Sequence, residues 1–291
     1  MWTCRSSITL CSRRDPGRRS GGCRPDAAGG GWGAVAGVLD STACAGRRGA
    51  AGRAARRRIR AVDGGRPSPA TGFHLHRDRA AGAEVRFAGK GPRLALPEAA
   101  RLLLPAGRTP VWLRQVHGRT VLAARAGCAG EGDAVVSRDG RHALVVATAD
   151  CVPVLLAGDG VIAAAHAGWR GIAAGVVAAT VARMAVPGAS IVAWIGPAIG
   201  PCCYEVGEDV AARVVAASAP DVARPGPRGR PHLDLPAAVA RQLASAGVRR
   251  VRRLDDCTRC RPERWWSYRR EGRGAGRNLA LICRAAGGSE G

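Results

Sequence analysis

ALVVATADCVPVLLAGDGVIAAAHAG, residues 143–168, decides the fold class. It holds three apolar runs, ALVVATA, CVPVLLA and VIAAAHA, each too short for an independent helix and rich in β-branched residues. The first two are separated by Asp150, the last two by Gly158-Asp159-Gly160, a tight-turn sequence. Runs that are apolar on both alternate faces predict strands in succession on a well-buried sheet. Cys151 falls at the break and His166 at the end of this set. The interruption at Asp150 leaves the longest apolar stretch short of a membrane span.

Working outward, Ile172, Val176, Thr180, Val181 and Met184 recur at helical spacing, and Pro187-Gly188 ends that helix. Beyond it the sequence predicts a strand in IVAWIG, a Gly/Pro-rich loop PAIGPCC, and a helix in EDVAARVVAA. A second helix runs to Ala246, capped by Asp234 with Pro236 in its first turn. A strand over 248–254, the CTRC loop and a strand over 278–283 follow. Upstream, strand and helix are expected at 84–88 and 96–104, and VWLRQVHG reads as a strand ending at His117-Gly118. Strands alternating with helices thus occupy 83–284, a single domain, with a short tail at 285–291.

Residues 1–82 differ in composition. They hold 16 Arg and no Lys against 5 Asp, and they are broken up by Gly and Pro. They lack sustained apolar periodicity and are expected to be a disordered basic extension. An arginine-rich arm can bind nucleic acid through phosphate contacts. However, Lys90 is the only lysine of the whole chain, which points to GC-rich coding rather than a selected electrostatic surface, so a nucleic-acid partner is not expected. The first apolar stretch, SSITLC, is too short for a signal-peptide core. Eleven cysteines, an odd number without framework spacing, suit a reducing cytoplasm.

Only six histidines are present, at 74, 76, 117, 142, 166 and 232. His117 and His166 both lie at expected strand ends, one and two residues before a glycine. With the thiolate of Cys151 they make a His₂Cys set that suits Zn²⁺, with copper as a second candidate at the same site, and leave a fourth position open. The same residues admit a metal-free reading, a cysteine hydrolase with Cys151 as nucleophile and His166 as base. Arg170, four residues after His166 at a helix start, is placed to meet an anion. Gln115, two positions before His117, would share its strand face and reach substrate. Asp133 and Asp150 are candidates to orient a ligand histidine or carry a proton. Cys257 and Cys260 form a lone C-x-x-C without the second pair that a four-ligand site needs, and the adjacent Cys202 and Cys203 are poorly disposed to chelate one ion together; both pairs are read as structural.

Five motifs in order, RQVHGRTV, TADCVPVLLA, AAAHAGWRG, IGPAIGPCCYEVG and CTRCRPERWWSYRREG, resemble the YfiH family, also described as laccase-domain or polyphenol oxidase proteins. The resemblance covers residues 83–284. It implies an α+β fold of mixed β-sheets packed together with helices outside, and ligands at His117, Cys151 and His166. It further implies phosphorolysis of adenosine, inosine and methylthioadenosine, with adenosine deamination as a further activity, and it adds Arg269 and Arg270 as substrate-binding candidates, one turned inward and one outward. Deamination would need an open metal position and a proton shuttle. Phosphorolysis would need cationic donors to hold phosphate beside the ribose. The sequence departs from the family before QVHG, where AEVRFAGKGPRLALPEAARLL replaces a longer Gly/Ser-rich stretch, and at Trp265-Trp266, where phenylalanines are common. A true multicopper oxidase is excluded, because its copper centres need more imidazoles than six histidines supply.

Overall fold

The computed structural model describes residues 57–58 and 67–285. In chain order the elements are β1 (Arg57–Arg58), β2 (Leu75–Ala80), β3 (Ala83–Ala88), α1 (Leu96–Leu103), β4 (Thr109–Arg114), β5 (Val121–Ala123), β6 (Gly127–Glu131), β7 (Ala134–Ser137), β8 (His142–Thr148), β9 (Val152–Gly158), β10 (Val161–Ala167), α2 (Trp169–Ala174), α3 (Val176–Met184), β11 (Val192–Ile195), α4 (Glu208–Ala216), β12 (Ala223–Pro225), β13 (Pro231–Leu233), α5 (Leu235–Ser245), β14 (Arg250–Arg253), α6 (Tyr268–Glu271) and β15 (Asn278–Arg284). Two mixed sheets dominate. One has the order β1-β14-β11-β9-β10-β7-β5, the other β2-β3-β15-β8-β4-β6. This is the α+β architecture of packed sheets with outer helices.

The period-2 alternation of the central strands builds the layers. On β9, Leu155 and Ala157 face the second sheet, whereas Val152, Val154 and Leu156 face the helices. On β8, Leu144 and Val146 point to the inter-sheet core and Val145 and Ala147 to the far side, under α1. Phe87, Trp194 and Trp265 fill the space between the sheets. Helices α2, α3, α4 and α5 cover the outer face of the seven-stranded sheet through Ile172, Val177, Val214 and Val239. Every strand from β8 to β10 is therefore buried on both faces, which is why their sequence is continuously apolar.

Several expectations hold in detail. Asp159 and Gly160 both take positive φ, 45° and 77°, between paired Gly158 and Val161, the two-residue turn that suits a right-twisted hairpin. Asp234 caps α5 by accepting from the Ala237 N–H at 2.9 Å.

Other expectations are corrected. The three runs of 143–168 do not share a sheet: β8 lies in the six-stranded one, β9 and β10 in the seven-stranded one. The crossing is made at Asp150, whose φ is +87°. The single helix expected over 172–184 is two, broken at Gly175, which adopts φ 83°. The boundary at 83 falls inside a hairpin, since β2 pairs along its whole length with β3. Phe73 and Leu75 belong to the core beneath α1. Asp78 ties the sheets together by accepting from Trp194 Nε1 at 2.9 Å and from Arg252 at 2.7 Å. The ordered fold thus begins before residue 83. Most of the arginine-rich front segment, and with it the nucleic-acid reading, lies outside the described residues, as do residues 286–291 of the tail. Among the described residues no helix is long and apolar enough to cross a membrane.

Candidate metal centre

The crossing at Asp150, the loop after β4 and the end of β10 converge at one point. There the ligand-bearing atoms of His117, Cys151 and His166 lie within 4.8 Å of one another. The two imidazoles meet edge to face with ring centroids 4.8 Å apart. His166 is buried and Cys151 and His117 are half-buried, so the set is reachable from one side.

Asp133, fully buried just before β7, organises the centre. Its carboxylate accepts the His166 Nδ1 proton at 2.8 Å. It also accepts backbone N–H bonds from His117 at 2.9 Å and Gly118 at 2.6 Å. The first bond commits Nδ1 and leaves His166 Nε2 as the atom available to a metal. The others hold the turn that carries His117, whose φ of +62° is unusual for a residue with a side chain. β4 ends at Arg114, so His117 sits in this turn rather than at a strand end, and the left-handed residue is the histidine, not Gly118.

Charge is distributed accordingly. Burial alone would raise the Cys151 thiol, but the positive charge of His166 and hydrogen bonds from His117 and His166 outweigh it and bring it down to about 6. Burial disfavours the charged form of His166, yet the Cys151 thiolate and the Asp133 carboxylate push it up to about 9. The site therefore favours a thiolate, which is both a metal ligand and a nucleophile.

Gly168 allows the close approach. A Cβ at this position would stand 3.0 Å from Cys151 Sγ and 3.0 Å from His117 Cδ2. Gly168→Ala should keep the fold and lower metal affinity by about tenfold, because overpacking of this order costs ~1–3 kcal/mol and falls on two ligands. Isothermal titration with Zn²⁺ reads this; an unchanged affinity would show that the ligands are not so constrained.

The remaining candidates separate. Arg170, exposed in the first turn of α2, stacks on Trp169 with its guanidinium 4.7 Å from the ring. Arg269 is exposed too and lies 5.1 Å over the ring of Tyr204. Arg270 is the inward one: it donates to the carbonyls of Thr258, Arg259 and Trp265 and pairs with Glu271. Its donors are thus engaged by the CTRC loop, Trp265 and Glu271. Gln115 is likewise engaged, its amide exchanging two 2.8 Å bonds with the backbone of Ala147 and prolonging the β4–β8 pairing. Asp150 accepts from Thr258 Oγ1 and from the Arg269 N–H, each at 2.6 Å, and is an anchor for two loops.

Tyr204 was not singled out by sequence reasoning, although it lies inside the CCYEVG motif. Burial, with the negative charges of Cys151 and Asp150, pushes its hydroxyl up to about 12, while Arg269 and Arg170 act in the opposite sense. It stays protonated.

The half-open His₂Cys cluster lies in an α+β fold of two packed sheets, and its donor set is compatible with a metal ion that keeps one position free. The profile of the family described as multi-copper polyphenol oxidoreductase laccase matches residues 96–285, and the chain belongs to that family. A Pseudomonas aeruginosa relative, called a purine nucleoside phosphorylase, is 41% identical over 178 residues, 60% of this chain and 73% of the relative. The Escherichia coli purine nucleoside phosphorylase YfiH is 40% identical over 167 residues, 56% and 69% of the two chains. Among solved structures, the Neisseria meningitidis protein NMB0706 superposes with a TM-score of 0.66 at 28% identity, covering 74% of this chain and all of that one.

Proposed function

We propose that this protein is a zinc-dependent purine nucleoside phosphorylase acting on adenosine, inosine and methylthioadenosine, with adenosine deamination as a second activity. The observation that carries the reading is the His117–Cys151–His166 donor set, with Arg170 in the first turn of the helix that follows His166 and Arg269 stacked over Tyr204. The donor set fits Zn²⁺ chemically: one thiolate, two imidazoles, and a histidine tautomer fixed by Asp133. A Zn²⁺ held by these three residues would supply Lewis acidity at its open position.

The chain's own groups supply the rest. Arg170 and Arg269 would hold the phosphate anion beside the ribose. Their guanidiniums carry no carboxylate partner within ion-pair distance among the described residues. Phosphorolysis forms the C1′–O bond to hydrogen phosphate as the C1′–N9 bond breaks, and the departing purine takes up the proton that the phosphate gives up. The Tyr204 hydroxyl, kept protonated, would donate a hydrogen bond at the rim.

A second reading has its own observation: the Cys151 thiolate and His166 imidazolium form the pair that a metal-free cysteine hydrolase needs. Chelation separates the two, since the hydrolase would survive it. The direct test incubates the full chain with adenosine, with and without phosphate, beside zinc and copper analysis. The proposal expects adenine release that depends on phosphate, inosine as the mark of deamination, and loss of both with His117→Ala and Cys151→Ser. Full activity and full metal content in either variant would refute the assignment.

A further inference from the structure

The four cysteines that the sequence left as two unrelated pairs are brought together by the fold. Cys202 and Cys203 lie in the loop after β11, and Cys257 and Cys260 in the loop after β14. β11 and β14 are parallel neighbours, and the ladder reaches into the loops through an Ala198–Cys257 bridge. As a result all four sulfurs lie within 4.8 Å of one another, in a group separate from His117, Cys151 and His166.

The spacing is that of a shared ion. Cys260 Sγ stands 3.3 Å from Cys203 Sγ and 3.6 Å from Cys202 Sγ. Four thiolates at the Zn–S bond length would have their sulfurs about 3.8 Å apart by tetrahedral geometry, whereas a disulfide needs ~2.05 Å. The backbone is arranged for sulfur as well. The Gly200 N–H donates to Cys257 Sγ at 3.2 Å. A side chain at Gly200 would crowd the group, because its Cβ would stand 3.3 Å from Cys202 Sγ and 3.5 Å from Cys257 Sγ. The Arg259 guanidinium lies in hydrogen-bonding reach of Cys203 and would offset the negative charge of a tetrathiolate.

We propose that Cys202, Cys203, Cys257 and Cys260 form a second, structural metal site that binds one Zn²⁺ as a closed tetrathiolate. Each sulfur that is still protonated releases its proton on binding, and no redox step is involved. The adjacent Cys202-Cys203 pair becomes a competent half-site because the partner half-site, C-x-x-C, is delivered from a neighbouring strand 55 residues later in the chain. The ion would fasten the loop whose Thr258 donates to Asp150, next to Cys151. It therefore supports the first centre without belonging to it.

The test uses the full chain, purified anaerobically without chelator, with zinc measured by plasma mass spectrometry. His117→Ala should leave one zinc equivalent per chain in place, and Cys257→Ser with Cys260→Ser in that background should remove it. As a measurement that does not depend on a folded cysteine variant, Co²⁺ added to zinc-stripped His117→Ala protein should give the thiolate-to-metal charge-transfer intensity of four sulfurs. An unchanged zinc content in a folded double variant would overturn the proposal. So would a Co²⁺ spectrum with one thiolate or none, or a disulfide joining Cys260 to Cys202 or Cys203 in the freshly isolated chain.

Discussion

Asp133→Asn should lower Zn²⁺ affinity by about 10- to 100-fold, the range for losing the hydrogen-bond partner of a ligating histidine. It should also destabilise the protein by about 3–5 kcal/mol. Both carboxylate oxygens act as acceptors, one from His166 Nδ1 and the His117 N–H, the other from the Gly118 N–H. An amide can imitate only one of them; its NH₂ must face a buried donor whichever way it is turned. The left-handed turn at His117 then loses its tether, and His166 loses the group that selects its tautomer. A further readout follows the charge. Removing the carboxylate lowers the pKa of His166, a weaker positive charge stabilises the Cys151 thiolate less, and the thiol rises. In zinc-free protein, alkylation of Cys151 mapped by mass spectrometry should show its pH midpoint moving upward from about 6. A variant with wild-type affinity, melting temperature and alkylation profile would show that Asp133 merely fills space.

Deleting residues 1–82 should be at least as damaging, although composition suggests that the front of the chain is dispensable. The deletion removes the edge strand β2 and makes the more buried β3 the edge of its sheet, open to aggregation. Phe73 and Leu75 go with it, and burial of each such side chain is worth ~1.5–3 kcal/mol. Asp78 is lost as well, so Trp194 Nε1 and Arg252 are left without their acceptor between the sheets. The expected result is a chain that is insoluble or melts more than about 10 °C below the full protein, given that a domain of this size shifts by ~2–4 °C per kcal/mol. Asp78→Asn should show a smaller loss of the same sign. A soluble truncated chain with the melting temperature of the full protein would place the start of the fold at 83 after all.

The hairpin formed by β2 and β3 was illegible for a local reason. Its turn residues are Ala81 and Gly82, with φ of 49° and 64°, and alanine is a poor advertisement for a left-handed position compared with the Asp159-Gly160 of the hairpin that was read correctly. The strand itself, LHRDRA, carries two arginines and an aspartate, and only its start is buried. Such a strand looks like the basic segment before it.

What the sequence determined by itself was the chemistry available and the nature of the elements. Six histidines and the positions of His117, Cys151 and His166 limited the metal donors. Unbroken apolar runs from 143 to 167 required strands buried on both sides, because the hydrophobic pattern has nowhere else to go. What only the tertiary structure decided was which strands share a sheet and which side chains are already spent. A doubly buried strand reads the same in either sheet, so the crossing at Asp150 was invisible. An arginine or a glutamine reads the same whether its donors face solvent or a carbonyl, so the separation of Arg269 from Arg270, and the engagement of Gln115, had to wait for the fold. Two cysteine pairs whose first members stand 55 residues apart become one cluster only because β11 and β14 run in parallel, a long-range pairing that no local pattern encodes.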